Sequence, residues 1–268
     1  MNKPKDEPGL QTILSHCGRN LEASGGYVNV PPYEGSTILH DDMEDLFGRV
    51  DNHLYGDGTA QTYGTDGGPT HEAFYDAMNK LEGGAGTWAF STGLAGCTIP
   101  MMAFLKTGDH MLVTDSVYGP TRQFCEVLLK NFGVEAEFYE PTIGAGIEKL
   151  IRPNTRLIYM ESPGTHTFEM QDVPAIAAVA RKYNIVTMID NTYATPLNFQ
   201  PLKHGVDVVV HSATKYICGH SDVLMSTVTC NEKKLEAGER RLQDDRTIRL
   251  GAKCVPRPPR LTHSESPP

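Results

Sequence analysis

Between Thr70 and Thr229, short runs rich in β-branched residues alternate with runs of helical character, and this alternation restricts the fold more than any other feature. The patterning predicts helices over Thr70–Leu81, Gly93–Leu105, Thr121–Phe132, Ile147–Ile151 and Val173–Tyr183. It predicts strands over Thr87–Ser91, His110–Thr114, Val134–Tyr139, Arg156–Glu161, Val186–Ile189, Val206–Val210 and Val223–Thr229. Runs such as Val186–Ile189 and Val206–Val210 are compact and rich in β-branched residues, as strands buried on both faces should be. Parallel strands need crossover connections, which helices supply. The expected fold is therefore α/β: a mostly parallel seven-stranded sheet with helices on both faces. Ligands in such folds sit in the loops after the carboxyl ends of the strands.

Composition narrows the function. With 24 Lys+Arg against 33 Asp+Glu, the net charge of −9 argues against binding nucleic acid through a basic stripe. The best apolar run, Ile99–Leu105, falls far short of the roughly 20 residues of a membrane helix. The opening residues, Met1–Pro8, lack the apolar core of a signal peptide. Six cysteines are scattered with no CxxC pair, as expected for reduced thiols of a cytoplasmic protein. The stretch before Thr70 is rich in Gly, Pro, Asn and Asp, with one short helix expected over Asp41–Phe47. It reads as an arm that packs on its own domain or on a partner subunit. One more helical stretch is expected from Glu232 to about Leu250, and a proline-rich tail without apolar periodicity follows. The expected organisation is an arm over 1–69, a ligand-binding α/β domain over 70–250 and a disordered tail over 251–268.

Several chemistries find no support. There is no GxGxxG after the first strand, no GxxxxGK[ST], no GxSxG and no HExxH, and the ten histidines show no metal-ligand spacing. Four other features fall at predicted strand ends. Ser91–Gly96 opens a helix directly after a strand, and the Gly93 and Leu94 amides at such a start favour a phosphate. Asp115–Pro120 carries Tyr118, whose ring can stack on a flat heterocycle. Met188–Tyr193 places Asp190 after an apolar strand, where a carboxylate needs a positive partner. Val208–Tyr216 carries Lys215 beside Ser212 and Thr214, two hydroxyls able to hold one phosphate. A lysine at the end of a buried strand is expected to be partly neutral, and a neutral amine forms a Schiff base. Each feature alone is compatible with an ordinary turn, cap or surface residue. Together a phosphate turn, a stacking aromatic, a carboxylate and a Schiff-base lysine describe a pyridoxal 5'-phosphate site.

The same residues carry a resemblance. Ser212–Tyr216 with Gly219–Asp222 resembles the lysine motif of the Cys/Met-metabolism pyridoxal phosphate enzymes. Val28–Tyr33 with Gly35–Thr37, Tyr63-Gly64 with Pro69–His71, Asp115–Pro120 and Asp190–Tyr193 are also similar to that family. The likeness runs from about residue 9 to about residue 250, and within the family it is strongest to the cystathionine β-lyases. It implies the aspartate-aminotransferase-like fold (fold type I) and carbon–sulfur β-elimination on cystathionine, a reaction of methionine biosynthesis and transsulfuration. It implies a homotetramer built from catalytic dimers. Cystathionine γ-lyase, cystathionine γ-synthase and methionine γ-lyase activities remain alternatives, as does a chain that binds cofactor with impaired turnover. By resemblance, Lys215 holds the cofactor, Asp190 pairs with its pyridine nitrogen and Tyr118 stacks on its ring. Gly93, Leu94, Ser212 and Thr214 hold its phosphate, and Tyr63 reaches into the neighbouring subunit's site. Two departures stand out. Thr65 occupies the position where the family usually has a phosphate-gripping arginine. After Arg249-Leu250-Gly251 the sequence leaves the family pattern, so the C-terminal domain that binds the substrate α-carboxylate is expected to be missing.

Overall fold

A computed structural model describes residues 8–22, 24–55 and 60–231. The helix expected over Glu232–Leu250, the tail over 251–268 and Cys254 lie outside the described residues. The arm forms α1 (Leu10–His16) and α2 (Met43–Tyr55). The α/β unit then runs α3 (Pro69–Glu82), β1 (Gly86–Phe90), α4 (Gly93–Phe104), β2 (His110–Thr114), α5 (Gly119–Gln123) and β3 (Glu135–Tyr139). It continues through β4 (Thr155–Glu161), α6 (Val173–Lys182), β5 (Val186–Asp190), α7 (Thr195–Asn198), β6 (Val208–His211) and β7 (Ser226–Cys230).

The seven strands form one sheet in the order β1-β7-β6-β5-β4-β2-β3, mostly parallel as expected. Strand β7 is antiparallel to both its neighbours. No helix separates β6 from β7, so nothing in the connection imposes a parallel crossover, and the chain turns back. Two buried clusters flank the sheet. One gathers Cys97, Met101 and Phe104 of α4 with Val113, Leu157, Tyr159, Met188 and Val210. The other sets Val173, Ile176 and Val179 of α6 against Leu112, Ile158, Met160, Ile189 and Val209. Alternate residues of each strand thus serve opposite faces.

Element existence follows the sequence closely, and the differences have local causes. The arm helix begins at Met43 and extends past Phe47 to Tyr55, with Arg49 paired to Asp45 one turn earlier. The helix expected at Thr121 starts at Gly119, with Pro120 at its first turn, and passes into π-type turns over Phe124–Leu129. The short helix expected at Ile147–Ile151 is one part of a 3-10 segment over Pro141–Leu150, kinked at Gly144 where φ is 51°. The last strand begins at Ser226, three residues later than Val223, because Met225 is held by Thr214 on the neighbouring turn. Among the described residues no helix is long and apolar enough to cross a membrane.

α3 is tied to the sheet by a buried pair: His211 at the end of β6 bonds through Nε2 to the Glu82 carboxylate, and both side chains are fully buried. Removing the acceptor strands a buried donor. Glu82→Ala is expected to lower unfolding free energy by about 1–3 kcal/mol, read from urea unfolding midpoints at constant slope.

Candidate active site

Glu161 ends β4 and Asp190 ends β5, and the two are direct partners in the parallel ladder. Side chains alternate along a strand, so Asp190 shares the face of Met188, and Glu161 that of Tyr159. Met188 and Tyr159 belong to the core under α4. Both carboxylates therefore lie on the α4 side of the sheet, at the carboxyl ends of the strands. Both are buried. Asp190 Oδ1 accepts the Thr192 N–H at 2.9 Å, and Oδ2 accepts the Cys97 thiol at 3.6 Å. Glu161 accepts the Tyr118 N–H at 2.8 Å and the Thr165 hydroxyl. Burial, then the neighbouring Asp190 charge, push the Glu161 carboxyl up to about 8.

α4 starts beside this pair. Thr92 caps it in extended backbone, its hydroxyl accepting the Ala95 N–H at 3.1 Å. The Gly93 and Leu94 amides have no acceptor among the described residues. A Cβ at position 93 would fall 2.5 Å from Ser212 Oγ, so glycine is what lets the helix start against the loop after β6. Two free amides, the positive end of a three-turn helix and the Ser212 hydroxyl converge there. Ser212 is itself anchored, its N–H donating to Thr192 Oγ1 at 2.7 Å.

Lys215 lies in the turn after β6, its N–H bonded to the Ser212 carbonyl at 3.0 Å and its carbonyl to the Gly219 N–H at 2.8 Å. The expectation of a buried lysine is corrected here. Strand β6 ends at His211, four residues earlier, and Lys215 is exposed in the single chain. It borders an open pocket of about 480 Å³, also lined by Thr214, Tyr216, Asp222 and Leu224. Thr214 does not face Ser212's cradle with a free hydroxyl: its Oγ1 donates to the Met225 carbonyl at 3.2 Å and accepts the Met225 N–H at 2.9 Å. The turn breaks the strand alternation on which a shared Ser212 and Thr214 contact depends.

Tyr118 stands at the start of α5 with its ring exposed. Tyr63 is exposed on the arm, where its backbone pairs with Thr37 and bonds to the Asp66 carboxylate, away from these residues' hydrogen bonds. The fold thus joins Gly93, Leu94, Ser212 and Asp190 in one place, sets Lys215 and Tyr118 on the adjoining loops, and ties the Tyr63 backbone to Thr37 and Asp66 of the arm. Glu161, Thr192 and Cys97 went unread in the sequence. Glu161 had a usable signal, since it ends an apolar strand just as Asp190 does.

These groups fit pyridoxal phosphate. The cradle that a Cβ at 93 would fill matches a phosphate, the oriented buried carboxylate matches a protonated pyridine nitrogen, and the lysine matches the aldehyde. A sheet of this order with its site at the carboxyl edge defines the fold type I class of pyridoxal phosphate proteins. The chain belongs to the Cys/Met metabolism PLP-dependent enzyme family, whose pattern matches residues 11–257. A relative from Rhizobium johnstonii, provisionally named a cystathionine beta-lyase, is 49% identical over 228 residues, covering 85% of this chain and 56% of that protein. The chain therefore spans little more than half the length of that relative. The solved cystathionine gamma-lyase from Lactobacillus plantarum, complexed with L-serine, superposes with a TM-score of 0.77 at 32% identity, over 88% of this chain and 58% of that one. A solved, provisionally named O-acetylhomoserine (thiol)-lyase from Campylobacter jejuni gives 0.76 at 28% identity, over 83% and 54%; it carries N'-pyridoxyl-lysine-5'-monophosphate.

The raised Glu161 carboxyl has a consequence for stability. Between its ordinary value of 4.5 and about 8, the folded chain holds a proton that the unfolded chain releases. Its contribution is full at the acid end and is lost as pH rises through about 8. Glu161→Gln is expected to melt progressively higher, relative to the parent, as pH goes from about 5 to about 9. An offset that does not change with pH would count against the assignment.

Proposed function

We propose that this chain carries the cofactor-binding part of a carbon–sulfur β-lyase, which converts cystathionine and water to homocysteine, pyruvate and ammonia. The observation that carries the reading is the convergence of the free Gly93 and Leu94 amides, the Ser212 hydroxyl and the buried Asp190 carboxylate beside the Lys215 turn. Pyridoxal phosphate, when bound, supplies an electron sink that makes the substrate Cα proton acidic. Lys215 would hold the cofactor, and its amine, when free and neutral, would take the substrate Cα proton and return one to the departing sulfur. Asp190 would pair with the pyridine nitrogen and keep it protonated. Tyr118 would stack on the heterocycle, while Gly93, Leu94 and Ser212 would hold the phosphate, with Thr214 joining them if its hydroxyl turns away from Met225. Tyr63 serves the site of a neighbouring copy, a reading its exposure on the arm supports. On this reading the active form is a homo-oligomer of at least catalytic dimers, the arm over 1–69 makes inter-subunit contacts and the domain over 70–250 binds cofactor. Five described cysteines are free thiols, which supports a cytoplasmic setting.

Borohydride reduction of the protein with pyridoxal phosphate is expected to leave a pyridoxyl adduct on Lys215, located by peptide mass spectrometry and lost in Lys215→Ala. Cystathionine is then expected to yield pyruvate. A 2-oxobutyrate product would move the assignment to a γ-lyase, and an adduct without any thiol release to a cofactor-binding chain lacking turnover. Thr65 is exposed beside Asp66, in the place of the family's arginine. Thr65→Arg adds a charge-assisted phosphate contact from the neighbouring copy, and is expected to tighten pyridoxal phosphate binding by about tenfold in equilibrium dialysis.

A further inference from the structure

Cys97 stands one turn after Gly93 on α4, so the helix whose first amides form the cradle also carries a thiol down to the sheet. The thiol is 3% exposed and lies 3.6 Å from Asp190 Oδ2. The other oxygen of that carboxylate is held by the Thr192 N–H, so each oxygen has one fixed donor from a different loop or helix. Two more hydroxyls border the thiol: Tyr159 on β4 and Thr121 on α5, both 0% exposed and neither with a hydrogen-bond partner. A small apolar side chain would fill this space as well as a cysteine does. The polar lining instead favours a group that can accept from a hydroxyl and donate to a carboxylate, and a thiol does both.

We propose that Cys97 is a positioning residue for the cofactor carboxylate: its S–H···Oδ2 bond fixes the plane of Asp190 and keeps its charge directed at the pyridine nitrogen. The inference rests on the pyridoxal phosphate reading of Asp190. It concerns orientation and involves no proton transfer at sulfur. Glu161 and Asp190 sit side by side in the ladder, so an Asp190 carboxylate free to turn could share a proton with Glu161 rather than with the ring. The thiol and the Thr192 amide hold it away from that arrangement.

The test compares Cys97→Val, which keeps an apolar filling but removes the donor, with Cys97→Ser, which restores one. Each protein is loaded with pyridoxal phosphate, and two quantities are measured: its equilibrium dissociation constant and the pH midpoint of the bound cofactor's visible absorbance. Cys97→Val is expected to weaken binding about fivefold and to displace the midpoint, while Cys97→Ser stays within about twofold of the parent with an unmoved midpoint. A valine variant indistinguishable from the parent overturns the proposal, as does a serine variant as impaired as valine, since packing alone would then explain both. Should Cys97→Val not fold, Cys97→Ala carries the same expectation in the same direction. Borohydride fixation at Lys215 separates the two levels of failure: an adduct in the parent with no Cys97 effect sinks only the positioning role. No adduct in the parent sinks the cofactor reading, and this proposal with it.

Discussion

Two carboxylates buried side by side at the edge of a parallel sheet are costly, and most of the site can be read as the response to that cost. The in-register pairing of β4 with β5 puts Glu161 against Asp190 and leaves no choice about their proximity. Each oxygen then requires a donor from elsewhere. Asp190 draws one from the loop after its own strand and one from α4; Glu161 draws one from the backbone at Tyr118 and one from the Thr165 hydroxyl. Satisfying these acceptors pins the loops after β2, β4 and β5 around one point. A site assembled from separate loops acquires its geometry from this shared obligation.

The second constraint is how closely α4 approaches the sheet. Gly93 and Gly96 face the same side of the helix, one turn apart. A Cβ at either would strike a serine, Ser212 in one case and Ser226 in the other, at 2.5 Å and 2.4 Å. Ser226 also donates to the Thr92 carbonyl at 2.7 Å, fastening the start of α4 to β7. The antiparallel insertion of β7 between β1 and β6 is thus what supports the helix whose amides form the anion cradle. Topology and cofactor chemistry meet at these two glycines.

Much of this was legible beforehand. The strand at His110–Thr114 and the helix starting at Gly93 were readable to the residue, because apolar runs and a strand-to-helix turn are local signals. Asp190, Ser212 and Lys215 were readable as a set because each follows a predicted strand. The exposure of Lys215 was not readable, since it depends on how the turn after β6 places the side chain, and Thr214's engagement with Met225 depends on a contact eleven residues away. The antiparallel β7 escaped for a similar reason: a helix-free connection permits either direction, and only the available gap in the sheet decides.

By itself, then, the sequence determined the order of elements, the α/β class and which chemical groups stand at strand ends, since periodicity, turn residues and residue type are properties of neighbours along the chain. The tertiary structure alone decided which of those groups meet. Glu161 and Asp190 are 29 positions apart in sequence and Cys97 is 93 from Asp190, and their contact follows from ladder register and helix packing, which no local pattern encodes. Strand order, the direction of β7 and the donors on each buried oxygen belong to that second category, because they are settled by long-range burial acting on the whole sheet at once.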